Sequence, residues 1–367
     1  MKVLFLTNIP SPYRVDFFNE LGKHCDLTVL FERATSNERK ATWHNYEFAN
    51  FNGIFLKGKS ISTDVAICKD VKKYVCDKSY NHIICANFSS PTGIIAIYTM
   101  KRRHIPYYLE ADGGTPGTGS GIKEYLKKIV MSNAKGYFSS GNMCDKYFLK
   151  YGATSEKLIR YNFTSLFNSD ILKCPVSKDK KIALRNELKL AENRIIITVG
   201  RFSYKNGYGK GYDTLFKVCE DLDGDVGVYI IGDNPSNEFV KWKEQKKLYN
   251  IHFVPFQKKQ ELVKYYQAAD LMVFLTRGEA WGLVVNEAMS NGLPVITTDV
   301  CVGGVELIRN GQNGYIVPAN DATAAKEAVD KCFSHNEEDL AKNALDAIRP
   351  YTIENMAKTH MEVFERE

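Results

Sequence analysis

One segment of the chain joins two predicted strands through a glycine-containing loop and a helix: Arg277-Gly278-Glu279-Ala280-Trp281-Gly282-Leu283-Val284-Val285-Asn286-Glu287-Ala288-Met289-Ser290-Asn291-Gly292-Leu293-Pro294-Val295-Ile296. A buried strand is predicted just before it, and the helix is predicted to begin near Leu283. The unpaired amides of a helix N-terminus favour an anion such as a pyrophosphate. Gly282 lets the backbone approach that anion closely, because it has no side chain. The segment therefore predicts an anion site in a strand-to-helix loop.

Two glutamates in this segment are candidate ligands for hydroxyl groups. Glu279 and Glu287 are eight positions apart, which corresponds to about 12 Å if the whole stretch were helical. One carboxylate could accept hydrogen bonds from a sugar while the other accepts those of a ribose, with phosphates at the amides between them. The competing interpretation is that both glutamates are solvated surface charges.

The rest of the chain alternates predicted strands with helices. Short apolar runs bounded by turn residues predict strands at Lys2–Thr7, Asp26–Phe31, His82–Ala86, Pro106–Glu110, Gly136–Ser139, Arg194–Val199, Val226–Ile231, Ile251–Val254, Leu271–Leu275, Pro294–Thr297 and Tyr315–Val317. Such alternation is typical of parallel sheets covered by helices on both faces. The polar stretch from Lys173 to Lys181, which contains a proline, is predicted to be a linker. The fold class is therefore α/β, with two doubly wound domains facing across a cleft at the carboxyl ends of their strands.

Composition sets the broad class of the protein. The 367 residues, 44% hydrophobic and 25% charged, fit two soluble globular domains and exclude disordered, collagen-like and coiled-coil chains. A net charge of +6 is too small to indicate a nucleic-acid partner. Nine cysteines without a C-x-x-C pair argue against a disulfide framework or a thiolate zinc site. With no signal peptide and no apolar run near the roughly 18 residues of a membrane span, we expect a cytoplasmic protein.

The context of the two glutamates resembles a known family. The pattern Gly-Glu-x-Trp-Gly-Leu-x-x-x-Glu-Ala-Met-x-x-Gly-x-Pro-Val-Ile is similar to the E-x7-E region of retaining glycosyltransferases of family 4. The resemblance implies the GT-B fold, with two Rossmann-like domains: residues 1–170 bind the acceptor and residues 171–351 bind a nucleotide-sugar donor. The C-terminal helix, residues 352–367, is expected to return to the N-terminal domain. The implied donor-binding residues here are Glu279, Ala280, Trp281, Gly282, Leu283 and Glu287, with Glu279 also catalytic.

A second motif of that family follows an earlier strand. Gly200-Arg201-Phe202, then Lys210-Gly211, resembles a motif in which Arg and Lys clamp the donor diphosphate, which implies donor-binding and catalytic roles for Arg201 and Lys210. An Arg fork and a Lys charge would stabilise the negative charge that grows on a leaving nucleoside diphosphate. The intervening segment is longer than usual in the family, so Lys205 is a rival for the Lys role. The competing interpretation is that these are solvated loop cations.

The nucleobase position and the absence of a metal are further implications. Phe253 to Phe256 matches the place where family members hold the nucleobase by backbone contacts, which implies a donor contact for Phe256. The D-x-D pattern at Asp221 to Asp223 precedes a predicted strand, so it lies at the wrong end of the sheet for a metal site. The seven His residues show no paired spacing. We therefore expect no metal and no other cofactor.

Three residues of the N-terminal half are candidate acceptor contacts. Arg14 follows the first strand and either reaches the acceptor or packs over neighbouring phenylalanines. Asp112, near the end of the strand from Pro106, is a candidate catalytic residue that orients the acceptor hydroxyl or stabilises an oxocarbenium-like centre. Its competing interpretation is an Asx-turn before two glycines. Glu110 is the alternative carboxylate if strand alternation turns Asp112 away.

The resemblance implies a reaction and its partners. The expected activity is transfer of a sugar, with retention, from a nucleoside-diphosphate-sugar, with a UDP-sugar favoured, to a hydroxyl of a glycan or lipid-linked glycan in surface-polysaccharide biosynthesis. Two alternatives stay open, a nucleotide-sugar epimerase and a bilobed protein that binds a sugar nucleotide without turnover.

Residues 122–131 predict an amphipathic helix in the acceptor domain. Its apolar stripe comprises Ile122, Tyr125, Leu126, Ile129 and Val130, flanked by Lys123, Lys127 and Lys128. In one interpretation the stripe faces the core and the lysines are solvated. In the other, this surface rests on an anionic membrane beside a lipid-linked acceptor, which would make the protein peripheral on the inner face of the plasma membrane.

Overall fold

The computed structural model describes residues 1–34, 47–62, 65–117 and 119–366. Within it the chain divides into two compact units. The first unit comprises Met1–Phe167 and Tyr351–Glu367, and the second comprises Asn168–Pro350. The division expected from the sequence was at 170/171 and 351/352.

The first unit is built on a parallel sheet of seven strands. The strands of this unit, in chain order, are β1 (Lys2–Thr7), β2 (Asp26–Phe31), β3 (Asn52–Phe55), β4 (Lys59–Ser60), β5 (Ala66–Ile67), β6 (His82–Cys85), β7 (Tyr108–Ala111), β8 (Gly136–Ser139) and β9 (Leu158–Arg160). The sheet runs in the order β3-β2-β1-β6-β7-β8-β9, while β4 and β5 form a separate antiparallel pair. The central strands are buried along nearly their whole length, which explains their continuous apolar sequences.

Helices cover this sheet. In the first part of the chain they are α1 (Pro12–Leu21), α2 (Val71–Val75), α3 (Pro91–Arg102), α4 (Ile122–Met131) and α5 (Asn142–Lys150). Helix α1 begins with a proline and α3 begins with Ser90 as a cap, since the Ser90 hydroxyl accepts a hydrogen bond from the Gly93 amide. Helix α4 forms where the sequence predicted it, but among its residues only Met131 is buried. The interpretation that its apolar stripe faces the core is therefore wrong.

The second unit contains a parallel sheet of six strands. They are β10 (Arg194–Val199), β11 (Val226–Gly232), β12 (Ile251–Pro255), β13 (Leu271–Phe274), β14 (Val295–Thr298) and β15 (Gly314–Val317). Their order is β12-β11-β10-β13-β14-β15. From β10 to β12 the strands are added toward one edge of the sheet, and from β13 to β15 toward the other, so the strand order reverses between β10 and β13. The helices of this unit are α6 (Lys178–Leu188), α7 (Tyr212–Glu220), α8 (Asn237–Gln245), α9 (Lys259–Ala268), α10 (Leu283–Ser290), α11 (Val302–Leu307), α12 (Ala322–Ser334) and α13 (Glu337–Ile348).

The last helix, α14 (Ile353–Glu365), belongs to the first unit, as expected. The Thr352 hydroxyl caps its start by accepting from the Asn355 amide at 3.2 Å. Its buried face packs on α1, and the His360 ring stacks on Phe138 at 4.2 Å between ring centres. Along the described parts of the chain, no helix combines the length and the apolar character needed to cross a bilayer.

Two sequence predictions about local structure need correction. The predicted linker ends inside α6, which begins at Lys178 after the Ser177 cap. No α6 residue is fully buried, which explains why its sequence looks like a solvated connection. Strands β3 and β9 were not predicted; their residues are exposed or half-buried, so they lack the apolar run that marks the central strands.

Candidate active site

The carboxyl ends of β10 and β13 lie side by side at the reversal point of the second sheet. Loops that leave two such strands diverge, and ligands of open α/β sheets bind in the crevice between them. The loop after β10 carries Lys210 and the loop after β13 carries Glu279, and 2.5 Å separates Lys210 Nζ from Glu279 Oε2. The ammonium also lies 5.1 Å from the centre of the Phe274 ring. The fold thus joins two residues that the sequence analysis assigned to the donor site.

Helix α10 begins beside this ion pair. Gly282 precedes it with a φ of 95°, in the left-handed region. A Cβ at Gly282 would lie 2.9 Å from Cys301 Sγ and 3.3 Å from Glu279 Cγ. Glycine is therefore favoured both by the left-handed turn and by the close approach of Cys301. The first amides of a helix have no partner within it, so this end is suited to an anion.

Trp281, Ala280 and Leu283 differ in how accessible they are to a bound donor. Trp281 is buried, and its Nε1 donates to Asn286 Oδ1 at 2.8 Å. The Trp281 side chain is therefore a packing group, and the donor contact of Trp281 stays a prediction for its backbone. Ala280 is exposed and Leu283 is half-buried, so the backbone of both is near the surface at the start of α10.

Glu287 lies one turn into α10. The Tyr266 hydroxyl donates to Glu287 Oε2 at 3.0 Å. Burial raises the pKa of the Glu287 carboxyl above its usual value, against the opposing effects of the Tyr266 hydrogen bond and the Lys259 charge. A half-enclosed carboxyl with one bound hydroxyl group can accept further hydroxyl donors, which is the chemistry expected of a ribose contact.

The loop after β10 holds the remaining predicted cations. Arg201 and Lys205 are exposed, whereas Lys210 is half-buried. The Lys205 and Lys210 amines each lie 5.5 Å from the centre of the Tyr204 ring. The structure therefore places both lysines at one loop, and Lys205 stays a rival. Lys205 and Asn206 have φ values of 51° and 53°, a left-handed pair that is uncommon without glycine.

Asp233 and Arg277 hold the loop after β10 in place. Neither was predicted as a site residue from the sequence. Asp233 accepts hydrogen bonds from the backbone amides of Phe202 and Ser203, the latter at 3.1 Å. Arg277 forms an ion pair with Asp213 at 2.5 Å and donates to the Tyr208 carbonyl at 2.9 Å. Asp233 directly follows β11, and this position at a carboxyl strand end was the available signal.

Phe256 follows β12, at the same edge of the sheet. Phe256 is 49% exposed. Its contact with the base stays a prediction. Over the ranges that the structure describes, no group of three or more His, Cys, Asp or Glu side chains is placed to hold a metal ion.

The first unit contains a buried charged network at the end of β7. Arg14 Nη1 lies 2.5 Å from Glu110 Oε1, and Arg14 Nη2 contacts Asp112 Oδ1. Glu110 and Asp112 are two positions apart and point to the same side, as alternate residues of an extended chain do. They are therefore not alternatives for one role, because one guanidinium binds both. The Tyr161 hydroxyl also donates to Asp112, at 3.2 Å.

Helix α14 completes this network through His360. His360 Nε2 lies 2.8 Å from Glu110 Oε2, and its Nδ1 lies 2.8 Å from the Met356 carbonyl. Glu110 and His360 have no solvent exposure, and Arg14 is 3% exposed. Both side chains are enclosed and occupied by these partners, and the direct acceptor contacts of Arg14 and Glu110 stay predictions. The Asp112 side chain, 27% exposed, is the accessible end.

The two carboxyl groups have pKa values shifted in opposite directions. Burial opposes ionisation of both, but Arg14 and His360 together hold the pKa of Glu110 below its usual value. For Asp112, burial and the nearby Glu110 charge outweigh Arg14 and raise the pKa. Burial alone would lower the pKa of Arg14, but the carboxylates of Asp112 and Glu110 raise it well above the usual value. Arg14 and Glu110 thus form a charged support for Asp112, the carboxyl group whose pKa is raised.

Comparison with known proteins finds a family match within the second unit. Residues 179–346 match the family model of glycosyl transferases group 1. The matched segment contains every residue proposed above for the donor, Glu279, Glu287, Arg201 and Lys210 among them. The matched segment is somewhat less than half of the chain.

Curated relatives are glycosyltransferases or come from polysaccharide loci. The chain is 28% identical over 214 residues to an uncharacterised 41.2 kDa protein of the cps region of Klebsiella pneumoniae, covering 58% of this chain and 55% of that protein. It is 25% identical over 261 residues to the putative teichuronic acid biosynthesis glycosyltransferase TuaC of Bacillus subtilis, covering 70% and 62%. The chain thus spans between about half and two thirds of the length of these relatives.

Solved structures establish the fold. The crystal structure of Anabaena HepE in complex with UDP superimposes with a TM-score of 0.79 at 17% identity, over the full length of both chains. The fold is GT-B, as the sequence resemblance implied. These comparisons support a glycosyltransferase and do not favour the epimerase or the non-catalytic binding protein.

Proposed function

We propose that the protein is a retaining glycosyltransferase that moves a sugar from a nucleoside-diphosphate-sugar to a hydroxyl of a glycan or lipid-linked glycan. The observation that carries the proposal is the Lys210–Glu279 pair beside the N-terminus of α10, at the reversal point of a glycosyltransferase domain. We propose a UDP-sugar as donor, which is supported by the HepE complexes with UDP and UDP-glucose. Retention is proposed from the resemblance of the E-x7-E region alone.

Each donor-side residue has a proposed role. Arg201 and Lys210 neutralise the diphosphate, with Lys205 as the rival cation, and the α10 amides bind its oxygens. Glu279 accepts hydroxyl hydrogen bonds of the sugar, and Glu287 accepts those of the ribose. Phe256 contacts the nucleobase of the donor. When a diphosphate enters, its negative charge replaces Glu279 as the partner of Lys210, which frees the carboxylate for the sugar.

In the reaction, the bond between the anomeric carbon and the diphosphate breaks while the acceptor oxygen bonds to that carbon. The acceptor proton leaves with the nucleoside diphosphate, whose developing charge Arg201 and Lys210 stabilise. Asp112 orients the acceptor hydroxyl by accepting its hydrogen bond, and Arg14 and Glu110 hold Asp112 in place. Because the cations and amides neutralise the diphosphate, we propose that no metal is needed.

The names of the relatives support an acceptor in surface-polysaccharide biosynthesis. The cps region and teichuronic acid biosynthesis are joined by the capsular polysaccharide glycosyltransferase CapM of Staphylococcus aureus, 23% identical over 335 residues. A lipid-linked glycan is the acceptor that the family resemblance implies. We therefore propose a cytoplasmic protein that contacts the inner face of the plasma membrane.

The test is the release of nucleoside diphosphate. UDP-sugars that raise the melting temperature of the protein are first selected, because a ligand of the native state stabilises it by mass action. Each selected donor is then incubated with and without lipid-linked glycan acceptors. We expect UDP release that depends on the acceptor and an anomeric configuration that is kept in the product. Stabilisation without release under any acceptor would instead support the binding protein, and a changed sugar on the nucleotide would support the epimerase.

A further inference from the structure

Helix α4 exposes the stripe that an amphipathic helix normally buries. Ile122, Tyr125, Leu126 and Ile129 are 79%, 66%, 53% and 47% exposed. A surface helix of a soluble protein places such a stripe on the core, and contiguous exposed apolar groups mark an interaction surface. This stripe therefore requires a partner outside the unit to which it belongs.

Helix α3 extends the apolar surface. Ile94 and Tyr98 are exposed, and they share a face of α3 with Lys101 because the spacing is four and three residues. The Lys101 ammonium donates to the Ile129 carbonyl, which joins that face of α3 to the end of α4. We call the exposed apolar residues of both helices the α3–α4 face; they are Ile94, Tyr98, Ile122, Tyr125, Leu126 and Ile129.

The surroundings of the α3–α4 face are strongly basic. Both helices lie wholly in the described part of the chain, and with Arg103 they carry the cations Lys101, Arg102, Arg103, Lys123, Lys127 and Lys128. Their single acidic residue is Glu124, which is bound by the Tyr151 hydroxyl and lies 3.3 Å from Lys150 and 3.5 Å from Lys127. Apolar side chains inside a ring of lysines and arginines match an anionic lipid surface, which takes up both.

A second copy of the chain fits this surface less well. Pairing two α3–α4 faces would bring their basic rims together, and like charges brought together oppose association. A bilayer with anionic headgroups instead supplies an apolar layer for the aromatic and aliphatic groups and negative charge for the rim. The charge pattern therefore favours a membrane over self-association.

The position of α4 along the chain relates this surface to the acceptor-side residue Asp112. Helix α4 follows the end of β7 through residues 112–121, which begin with Asp112. We propose that the α3–α4 face docks the protein on an anionic membrane, with α4 beginning ten residues along the chain from the residue that orients the acceptor hydroxyl. This inference rests on the proposed function in one respect, that the acceptor is lipid-linked.

The test is co-sedimentation of the full chain with vesicles of phosphatidylcholine alone or with added phosphatidylglycerol. One variant carries Lys123→Glu, Lys127→Glu and Lys128→Glu, and another carries Leu126→Gln and Ile129→Gln. A matched control carries Lys72→Glu, Lys73→Glu and Lys78→Glu, exposed lysines of the same unit that make the same change in net charge. Melting temperatures in the presence of UDP check that each variant folds and keeps its donor site.

We expect the unmodified chain and the matched control to bind phosphatidylglycerol vesicles and to ignore neutral ones. Vesicle binding should weaken as the salt concentration rises and the Debye length falls to about 10 Å and below. Both α4 variants should lose at least about tenfold in the vesicle-bound to free ratio. All four proteins should respond equally to UDP, because none of the changes touches the second unit.

Three results would overturn the proposal. These are equal binding to both kinds of vesicle or to neither, equal loss in the matched control, and a concentration-dependent dimer that the Leu126→Gln, Ile129→Gln pair abolishes. If the melting temperature still rises with UDP in any of these cases, the docking proposal is wrong and the donor-site proposal is unaffected. Vesicle binding without any response to UDP would show the reverse, a membrane-binding surface on a protein that lacks the proposed function.

Discussion

At the scale of single residues, one buried arginine decides how the acceptor-side carboxyl groups behave. Arg14 binds Glu110 and Asp112 together, and His360 occupies the second oxygen of Glu110. Glu110 is thereby held ionised, while Asp112 is left partly exposed with a raised pKa. Two carboxyl groups with pKa values shifted apart by their surroundings divide into a structural group and a reactive one.

The first prediction concerns Asp112. Because its pKa is raised, transfer should decline on the acid side as pH falls through a value above the ordinary aspartic acid pKa of about 3.9. Asp112→Asn should lower kcat by about 10²-fold and remove this acid limb. Initial rates between pH 4 and 8 test it. An unchanged acid limb in Asp112→Asn would assign that limb to another group.

A second prediction concerns Glu110 and stability. Its pKa is lowered in the folded state, so the stability it contributes is complete above its unfolded pKa, about 4.3, and is lost as pH falls through the folded value. Glu110→Gln should cost about 3–5 kcal/mol at pH 7, because Arg14 is left without its buried partner. Urea unfolding should show this difference shrinking below about pH 4. Exposed Glu362→Gln is the control, with a change near zero at each pH; a constant deficit for Glu110→Gln would contradict the account.

At the scale of elements, the parts that the sequence predicted well are those with one dominant physical signal. The central strands of both sheets are buried on both faces, so their apolar runs mark them almost residue by residue, as for β1 and β10. The loop and helix of the E-x7-E segment were predicted from the sequence because its glycines, its helix start and the ends of its strands follow one another in a fixed order. Edge strands and the solvated helix α6 lack such a signal.

What the sequence could not provide is which partner each side chain meets. Arg14 and Glu110 are 96 positions apart and Glu110 and His360 are 250 apart, so no local pattern reveals their enclosure. Exposure of the α4 stripe is likewise invisible, because an amphipathic pattern is the same whether the stripe faces a core or a membrane. Trp281 was assigned to the donor by resemblance, and the motif does not reveal that its side chain is buried and bound to Asn286.

The third prediction tests how α14 is tied to the first unit. His360→Phe keeps a ring that can stack on Phe138 but removes the hydrogen bond to Glu110. We expect a loss of about 1.5–3 kcal/mol in unfolding free energy, the range for a hydrogen bond to a charged group. His360→Gln, which can still donate to Glu110, should recover part of it. Equal stability of His360→Phe and the unmodified protein would show that stacking alone holds the helix.

At the scale of the whole molecule, charge neutralisation without a metal is the most consequential feature of the account. The diphosphate is assigned to Arg201, Lys210 and the amides of α10 in one unit, and the acceptor hydroxyl to Asp112 in the other. Every step uses side chains and backbone groups of this chain. The two sets of residues belong to separately packed units, so changes in one set should leave the stability of the other intact.

The fourth prediction follows from this assignment. Transfer should continue in excess EDTA at a rate within about twofold of the untreated enzyme, because neither donor nor acceptor group depends on a divalent ion. UDP release is the measurement, with a metal-dependent transferase as the control for the chelator. Activity that disappears in EDTA and returns with magnesium or manganese would contradict it.

The most direct test of the central claim is calorimetric titration of UDP and of the best UDP-sugar in EDTA, on the unmodified protein and on Lys210→Ala, Lys205→Ala and Glu287→Ala. We predict at least about tenfold weaker binding for Lys210→Ala and Glu287→Ala, with both free proteins still folded. Uridine should lose affinity with Glu287→Ala and not with Lys210→Ala, because only the diphosphate meets the lysine. A larger loss in Lys205→Ala would transfer the diphosphate role to that residue. Unchanged affinity for UDP in both Lys210→Ala and Glu287→Ala would contradict the donor site proposed here.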